Sequence, residues 1–223
     1  MPGYKFSCSS CGWRTDPTPN LLSCTVCESP LDVEYMSGSA PSVQPKGWRG
    51  PLIPLPISSL EDYLTLGEGN TPVVNLERIC EFTDVELFAK LEFLNPTGSF
   101  KDRGTSIMIS VLKSMGITEL VEDSSGNAGA SVSAYSALAG ITANIFAPTT
   151  APGPKISQIK VYGAETHLIE GTRDETTEAA IRFASENSLS YASHNLSPFF
   201  IEGTKIFAYE VFEQFSGDMP TDV

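Results

Sequence analysis

The residues best placed to do chemistry lie in Asn95-Pro96-Thr97-Gly98-Ser99-Phe100-Lys101-Asp102-Arg103-Gly104. A turn-prone loop, built on Asn-Pro and Thr-Gly, delivers one lysine to the start of an apolar, helix-like run from Ile107 to Met115. The free N–H groups and positive dipole end of a helix disfavour another positive charge. A lysine held there has a reason to shed its proton, and a neutral amine attacks carbonyl carbon. The competing reading is a solvated lysine on a surface loop, and this stretch alone does not separate the two.

A second candidate is Ser124-Ser125-Gly126-Asn127-Ala128-Gly129, between an apolar strand at Leu120-Val121 and a helix rich in small residues. That is the carboxyl end of a strand, where open α/β sheets bind ligands. Gly126 and Gly129 let backbone and ligand approach closely. Free N–H groups at the helix start, with the serine hydroxyls, suit a carboxylate or phosphate. Ser and Asn also cap helices without binding anything, so an ordinary cap loop stays open. Gly98-Ser99-Phe100-Lys101 lacks the Gly-x4-Gly-Lys spacing of a nucleotide-binding loop.

The third candidate is Cys8, Cys11, Cys24 and Cys27, spaced C-x2-C-x12-C-x2-C. Two close pairs across a short turn can present four thiolates to one tetrahedral, structural Zn²⁺, with unbound or redox thiols as the alternative. Around them stand only Lys5 and Arg14 against Asp16, Glu28, Asp32 and Glu34. So acidic a ribbon is not expected to grip nucleic acid. Cys80, beside Ile79 and Phe82, reads as a buried small residue.

The elements that must position these groups follow from the whole chain. Its 223 residues are 41% hydrophobic and 18% charged, as in globular proteins, and the net charge of −13 argues against a nucleic-acid partner. No run reaches the ~18 apolar residues of a membrane span, and the N-terminus has no apolar signal segment. The expected location is the cytoplasm.

Composition divides the chain into a zinc-ribbon-like module at 1–36, a Pro-rich linker at 37–60 and an α/β region at 61–223. The linker's Pro41, Pro45, Pro51, Pro54 and Pro56 exclude a helix or a central strand, while Trp48, Leu52, Ile53, Leu55 and Ile57 should lie against the body. After a strand at Glu86–Glu92, helices at about 102–115, 127–139, 154–161, 172–186 and 203–215 alternate with strands near 120–121, 143–147, 166–169 and 189–192. Such alternation predicts a parallel, helix-covered sheet. The last six residues, Asp218 to Val223, read as a turn entering a further strand, so the chain is expected to be a fragment or one part of a split enzyme.

An amine that seeks carbonyls and an anion cradle are what an amino-acid-transforming pyridoxal phosphate (PLP) enzyme needs. The chain from Leu66 to Val223 resembles threonine synthase and its relatives among the fold type II, tryptophan-synthase-β-like PLP enzymes. The resemblance rests on Leu-Gly-Glu-Gly-Asn-Thr-Pro at Leu66–Pro72, the Asn95–Gly104 stretch, Ser-Ser-Gly-Asn-Ala-Gly-Ala-Ser at Ser124–Ser131, and a helix start at Glu202-Gly203-Thr204-Lys205. Several threonine-synthase-like proteins also carry an N-terminal cysteine ribbon.

The resemblance implies that Lys101 is the Schiff-base lysine and moves the α-proton. Asn127 would bond the PLP ring hydroxyl, and Phe100 would line the cofactor pocket, a placement that burial alone would also explain. Ser124, Ser125 and Gly126 would bind the carboxylate of an amino-acid substrate. Asp102 and Arg103 are expected to form an ion pair at the helix start. The family's Gly-rich phosphate loop would follow the next strand, beyond Val223, and a homodimer is left open for the full-length enzyme.

Threonine synthases often hold the substrate phosphate with an Asn-Ser pair and an arginine near His194–Gly203, and Phe200 stands at the arginine's place. The expected activity is a PLP-dependent lyase most like threonine synthase. A serine/threonine dehydratase-like or cysteate-synthase-like enzyme, and a non-catalytic assembly module, stay open.

Overall fold

A computed structural model of the chain describes residues 3–36, 42–43, 52–81 and 85–223. The N-terminal cysteine stretch forms an antiparallel sheet of β1 (Tyr4–Ser7), β2 (Arg14–Thr15) and β3 (Asp32–Tyr35), with β1 in the centre. β4 (Ser42–Val43) pairs with β5 (Ile53–Pro54). β6 (Val73–Asn75) and β7 (Phe88–Lys90) form another antiparallel pair around the short α1 (Glu77–Cys80).

The main body runs α2 (Lys101–Ser114), β8 (Glu119–Glu122), α3 (Asn127–Ala139), β9 (Thr142–Pro148), α4 (Gly153–Val161), β10 (Glu165–Ile169), α5 (Arg173–Glu186) and β11 (Ser190–Tyr191). Two helices follow, α6 (Pro198–Thr204) and α7 (Ile206–Gln214). The four strands lie in the order β10-β9-β8-β11, all parallel. Neighbouring residues on a strand point to opposite faces. Leu120 and Ile145 accordingly enter the core under α2 and α3, while Val121 and Phe146 pack against α5. Each such buried side chain contributes about 1.5–3 kcal/mol.

This topology positions the site. β9 and β10 lie on one side of β8, and the chain then returns to place β11 on the other. The switch point between β8 and β11 is where open α/β sheets bind ligands. The Ser124–Gly129 loop leaves β8 there, and the His194 loop leaves β11 beside it.

Several elements differ from the sequence reading. The strand expected at Glu86–Glu92 spans only Phe88–Lys90 and passes into a 3-10 turn at Glu92–Leu94. The expected helix from 203 is two helices, because Pro198 starts α6 at its first turn and the chain breaks at Lys205 before α7. Glu202–Lys205 is therefore a helix end. Gly203 is needed there for close approach, since a Cβ on it would collide with the Arg103 carbonyl and Gly104 of α2. Residues 218–223 form no strand.

Within the Pro-rich tract, Pro54 belongs to a short two-stranded ladder, and Ile53, Leu55 and Ile57 are buried as expected. Leu52 is exposed, and Pro41, Pro45, Trp48 and Pro51 lie outside the described residues, as does Phe82. Cys80 is half-buried rather than buried, and its Sγ accepts from the Leu87 N–H at 3.2 Å.

The largest departure concerns Asp102 and Arg103, which do not pair with each other. The Arg103 guanidinium, 1% exposed, lies between two carboxylates. Its Nε and Nη2 donate to Glu92 at 2.7 and 2.8 Å, and its Nη1 and Nη2 donate to Glu210 of α7 at 2.7 and 2.8 Å. Two bidentate forks give geometry as well as energy. Lys90 completes the cluster on Glu210 at 2.9 Å.

The same carboxylates shape the Leu66–Pro72 loop. The Asn70 N–H donates to Glu210 at 2.7 Å and the Thr71 hydroxyl to Glu92 at 2.6 Å. Gly69, at φ +85°, has no room for a Cβ, which would stand 2.7 Å from the Glu210 carboxylate. Buried Glu68 accepts from Tyr63 at 2.7 Å, Thr65 at 2.9 Å, the Leu66 N–H at 3.0 Å and Tyr135 of α3 at 2.5 Å.

Burial alone would raise Glu92 and Glu210, but their hydrogen bonds with Arg103 outweigh it and hold both below the usual carboxylate range. Groups depressed in this way stabilise the fold above their unfolded pKa, and that stability is lost as pH falls through the folded values. Arg103→Met leaves both carboxylates without their guanidinium partner. It should cost about 3–5 kcal/mol in a urea titration at neutral pH, and the difference from wild type should shrink on acidification. An equal loss at acidic and neutral pH would show that packing, not charge, holds Arg103.

Candidate active site

Lys101 opens α2, half-buried, and the positive φ of Gly98 (+86°) makes the turn before it. Its Nζ stands 4.5 Å from the Phe100 ring centroid and 5.6 Å from that of Phe200. Among the described residues it makes no hydrogen bond or ion pair. Burial pushes the Lys101 amine below the ordinary lysine value, and the negative charge of Glu122 works against that fall. The direction matches the sequence reading, with desolvation supplying a cause.

Asp102 fixes the loop that presents this amine. Its buried carboxylate accepts from the Thr97 N–H at 2.7 Å, the Thr97 hydroxyl at 2.6 Å and the Ser131 hydroxyl at 2.6 Å. Ser131 belongs to α3, so one carboxylate ties the lysine loop to the helix that follows Ser124–Gly129. Burial raises the Asp102 carboxyl, and these hydrogen bonds only partly offset it.

The Ser124–Gly129 loop is not an ordinary cap. Gly126 occupies the cap position of α3, and no side chain caps the helix. Ser124 Oγ accepts from the Gly126 N–H at 3.3 Å, while Ser125 and the exposed Asn127 have no side-chain partner among the described residues. Gly129 is required by packing, because a Cβ there would collide with the Ser124 carbonyl and lie 3.3 Å from Ile145. Gly126 meets nothing closer than Ser124 Oγ at 3.9 Å, leaving its face open.

One residue beneath these loops carries no role in the sequence reading. Glu122, the last residue of β8, is fully buried and bonds His194 Nδ1 at 2.7 Å. It also accepts from the His194 N–H at 3.3 Å. A strand buried on both faces is normally apolar throughout, so two consecutive acids, Glu122-Asp123, at its carboxyl end were an available signal. Phe200 is buried against Gly104, with ring atoms 2.7 Å from where a Cβ would stand, and 5.8 Å from the His194 ring. Phe100 is 41% exposed, so burial does not account for it. Phe100, His194 and Phe200, with Ile201 and Phe207, line an open, largely apolar cavity of about 940 Å³.

The four cysteines come together at a separate place. The sulfurs of Cys8, Cys11, Cys24 and Cys27 lie within 4.8 Å of one another, with none in a disulfide. Each pair sits in a tight turn closed by backbone bonds, Gly12 N–H to Cys8 O at 2.8 Å and Glu28 N–H to Cys24 O at 2.9 Å. This cluster could hold one metal ion. It is not detached from the body: Tyr4 and Phe6 pack on Phe199 of α6 at 6.2 and 5.1 Å between ring centroids, and Tyr35 bonds Glu202. Among the described residues, no helix is long and apolar enough to cross a membrane.

Known proteins resemble the chain over most of its length. A family model described as "Pyridoxal-phosphate dependent enzyme" matches residues 64–223. A threonine synthase of Halalkalibacterium halodurans is 37% identical over 170 residues, covering 74% of this chain and 48% of that protein. A threonine synthase of Methanosarcina acetivorans is 29% identical over 231 residues, covering 97% of this chain and 55% of that protein. The structure of maize serine racemase superposes with a TM-score of 0.60 at 28% identity, over 66% of this chain and 45% of that one. The chain thus spans about half the length of the curated relatives it matches.

The electrostatics of Lys101 can be read directly. After reductive ¹³C-methylation, its resonance, assigned by its absence in Lys101→Arg, should titrate below those of the exposed lysines. Glu122→Gln should lower the midpoint further, because a supporting negative charge is gone. A midpoint in the ordinary lysine range would show a solvated amine.

Proposed function

We propose a function from one premise: the chain belongs to the pyridoxal-phosphate dependent enzyme family. It contributes the reactive half of a lyase site for an amino acid substituted at its β or γ carbon. The nearest reaction is that of threonine synthase, O-phosphohomoserine to threonine and phosphate. One juxtaposition carries this reading. The amine of Lys101, without a partner among the described residues, and the unengaged side chains of Ser125 and Asn127 beside the open face of Gly126 are tied to one switch point through Asp102 and Ser131.

The donor set fits the cofactor. An amine depressed by burial suits an aldehyde, an unpartnered amide suits a ring hydroxyl, and a helix start with free hydroxyls suits a substrate carboxylate. When bound, pyridoxal phosphate supplies the carbonyl and an electron sink for the α-carbon. The chain's own residues do the rest. Lys101 holds the cofactor and then moves the α-proton at its Nζ. Asn127 orients the ring, and Ser124, Ser125 and Gly126 fix the carboxylate so that the α-proton faces the amine. Phe100 covers the pocket edge and excludes water. Asp102 acts only by position, holding the two loops in register.

A second reading has its own observation. Phe200, apolar and packed against Gly104, stands where a phosphate-binding arginine would be expected, which favours a dehydratase-like enzyme acting on an unphosphorylated hydroxy-amino acid. A cysteate-synthase-like reaction on phosphoserine shares the same residues. Assaying release of phosphate, ammonia or keto acid across a panel of amino acids separates them, and turnover of unphosphorylated serine or threonine alone would overturn the threonine-synthase assignment.

The cysteine cluster completes the proposal as a structural zinc ribbon, Cys8, Cys11, Cys24 and Cys27 supplying four thiolates. Purified protein should hold one equivalent of zinc, lost in Cys24→Ser together with thermal stability. Full stability without bound metal would refute the ribbon.

Lys101 is tested by borohydride. Reduction after incubation with pyridoxal phosphate should leave the cofactor's mass on the Lys101 peptide, and Lys101→Ala should abolish it. Retention of the same reducible adduct in that variant, or none in the full-length protein, would exclude the assignment and leave a non-catalytic assembly role.

A further inference from the structure

We propose that His194, held by Glu122, meets the side-chain substituent of the substrate and gives a proton from its Nε2 to the departing oxygen. The inference rests on the lyase reading above and extends it to a residue with no role there. Glu122 is wholly buried at the end of β8 and bonds His194 twice, through Nδ1 at 2.7 Å and the backbone N–H at 3.3 Å. That leaves Nε2 as the ring nitrogen without a partner among the described residues, on a side chain that lines the 940 Å³ cavity.

The neighbours support a proton-handling role. On the cavity wall Phe100 and Phe200 are apolar, while Glu92 is taken by Arg103 and Lys205 by Glu202. Thr204 donates to the Phe200 carbonyl at 2.9 Å, so His194 and exposed Asn195 are the polar side chains left on the wall, with Phe200 5.8 Å from the His194 ring and 5.6 Å from the Lys101 amine. The charged and titratable groups around the pair are Lys101 of α2, Asp123 just after β8 and Tyr191 of β11, with Arg173 of α5 bonded to Asp123 at 2.9 Å. Burial raises the Glu122 carboxyl, His194 pulls against that, and Asp123 adds to the rise. When the pair holds one proton, on Glu122 or on Nδ1, the ring carries a hydrogen at Nε2 and is a donor toward the cavity.

The step balances. The carbon–oxygen bond of the substrate breaks, its electron pair stays on oxygen, and the Nε2 proton passes to that oxygen. The pair is left as a Glu122 carboxylate with an Nδ1–H imidazole, which regains a proton at Nε2 from solvent as Lys101 gives up the α-proton to it. A poor leaving group such as hydroxide needs this proton, whereas a phosphate departs well without it.

The test compares leaving groups in the holoenzyme. His194→Asn should lower kcat on serine by about 100-fold or more and on O-phosphoserine by less than about 10-fold. Exchange of the α-proton with deuterated solvent, which needs Lys101 and not His194, should persist in the variant. Equal losses on both substrates, or no loss, would overturn the role of His194 while retained exchange keeps the lyase reading. Absence of exchange in wild type would overturn that reading, and this one with it.

A second readout needs no turnover. In cofactor-free protein, NMR should show a downfield His194 Nδ1–H proton that Glu122→Gln abolishes. His167, which bonds Asn144 at 2.9 Å and stacks on Phe146, serves as the internal control. An unaltered His194 signal in Glu122→Gln would break the link between the two residues.

Discussion

The first turn of α2 carries two buried charges side by side, and the loops of the candidate site hang from them. Arg103 is gripped by Glu92 and Glu210, and Asp102 by Thr97 and Ser131. Taking ions out of water is costly unless each finds matched partners, so such groups tolerate few arrangements. One residue before them, Lys101 inherits that immobility without sharing its bonds. Its amine can be free because the backbone beneath it is not. The glycines of Leu66–Pro72 belong to the same constraint, since their turns let the loop close over the Arg103 cluster.

The α/β alternation was legible because period and punctuation are local. Asn127–Ala139 matches the expected helix, flanked by the turn before Asn127 and the left-handed Gly140 after Ala139. The joint between α6 and α7 was not legible, nor was the close approach of Gly203 to the Arg103 carbonyl, which belongs to a helix a hundred residues earlier. Among the candidate site residues, Lys101, Ser124–Asn127 and the four cysteines announce themselves by spacing. Glu92, Glu210 and Glu68 do not, since a glutamate in a sequence is nearly always a solvated one. Asp102 and Arg103 misled for the same reason: adjacent opposite charges suggest a pair, yet a helix sends neighbouring side chains in different directions.

Phe200 shows how one side chain can serve packing and the shape of the candidate site together. It fills the space left by Gly104, so a larger residue at either position displaces the other, and it forms the wall shared by Lys101 and His194. An apolar wall keeps the amine's surroundings dry, in keeping with its lowered pKa. It also withholds the planar, bidentate recognition that a guanidinium would offer a phosphate.

The contact between Tyr35 and Glu202 joins residues 167 positions apart, and Tyr4 and Phe6 lean on Phe199 across a similar gap. A chain made from its N-terminus must therefore complete the parallel sheet and α6 before its first strand can be covered. Contacts of such separation form slowly, and apolar surface waiting for them is exposed to aggregation. The cysteine cluster is the exception within that stretch, since its four thiols are brought together within 20 residues. It can gather the cysteine turns before the apolar surface of β1 is covered.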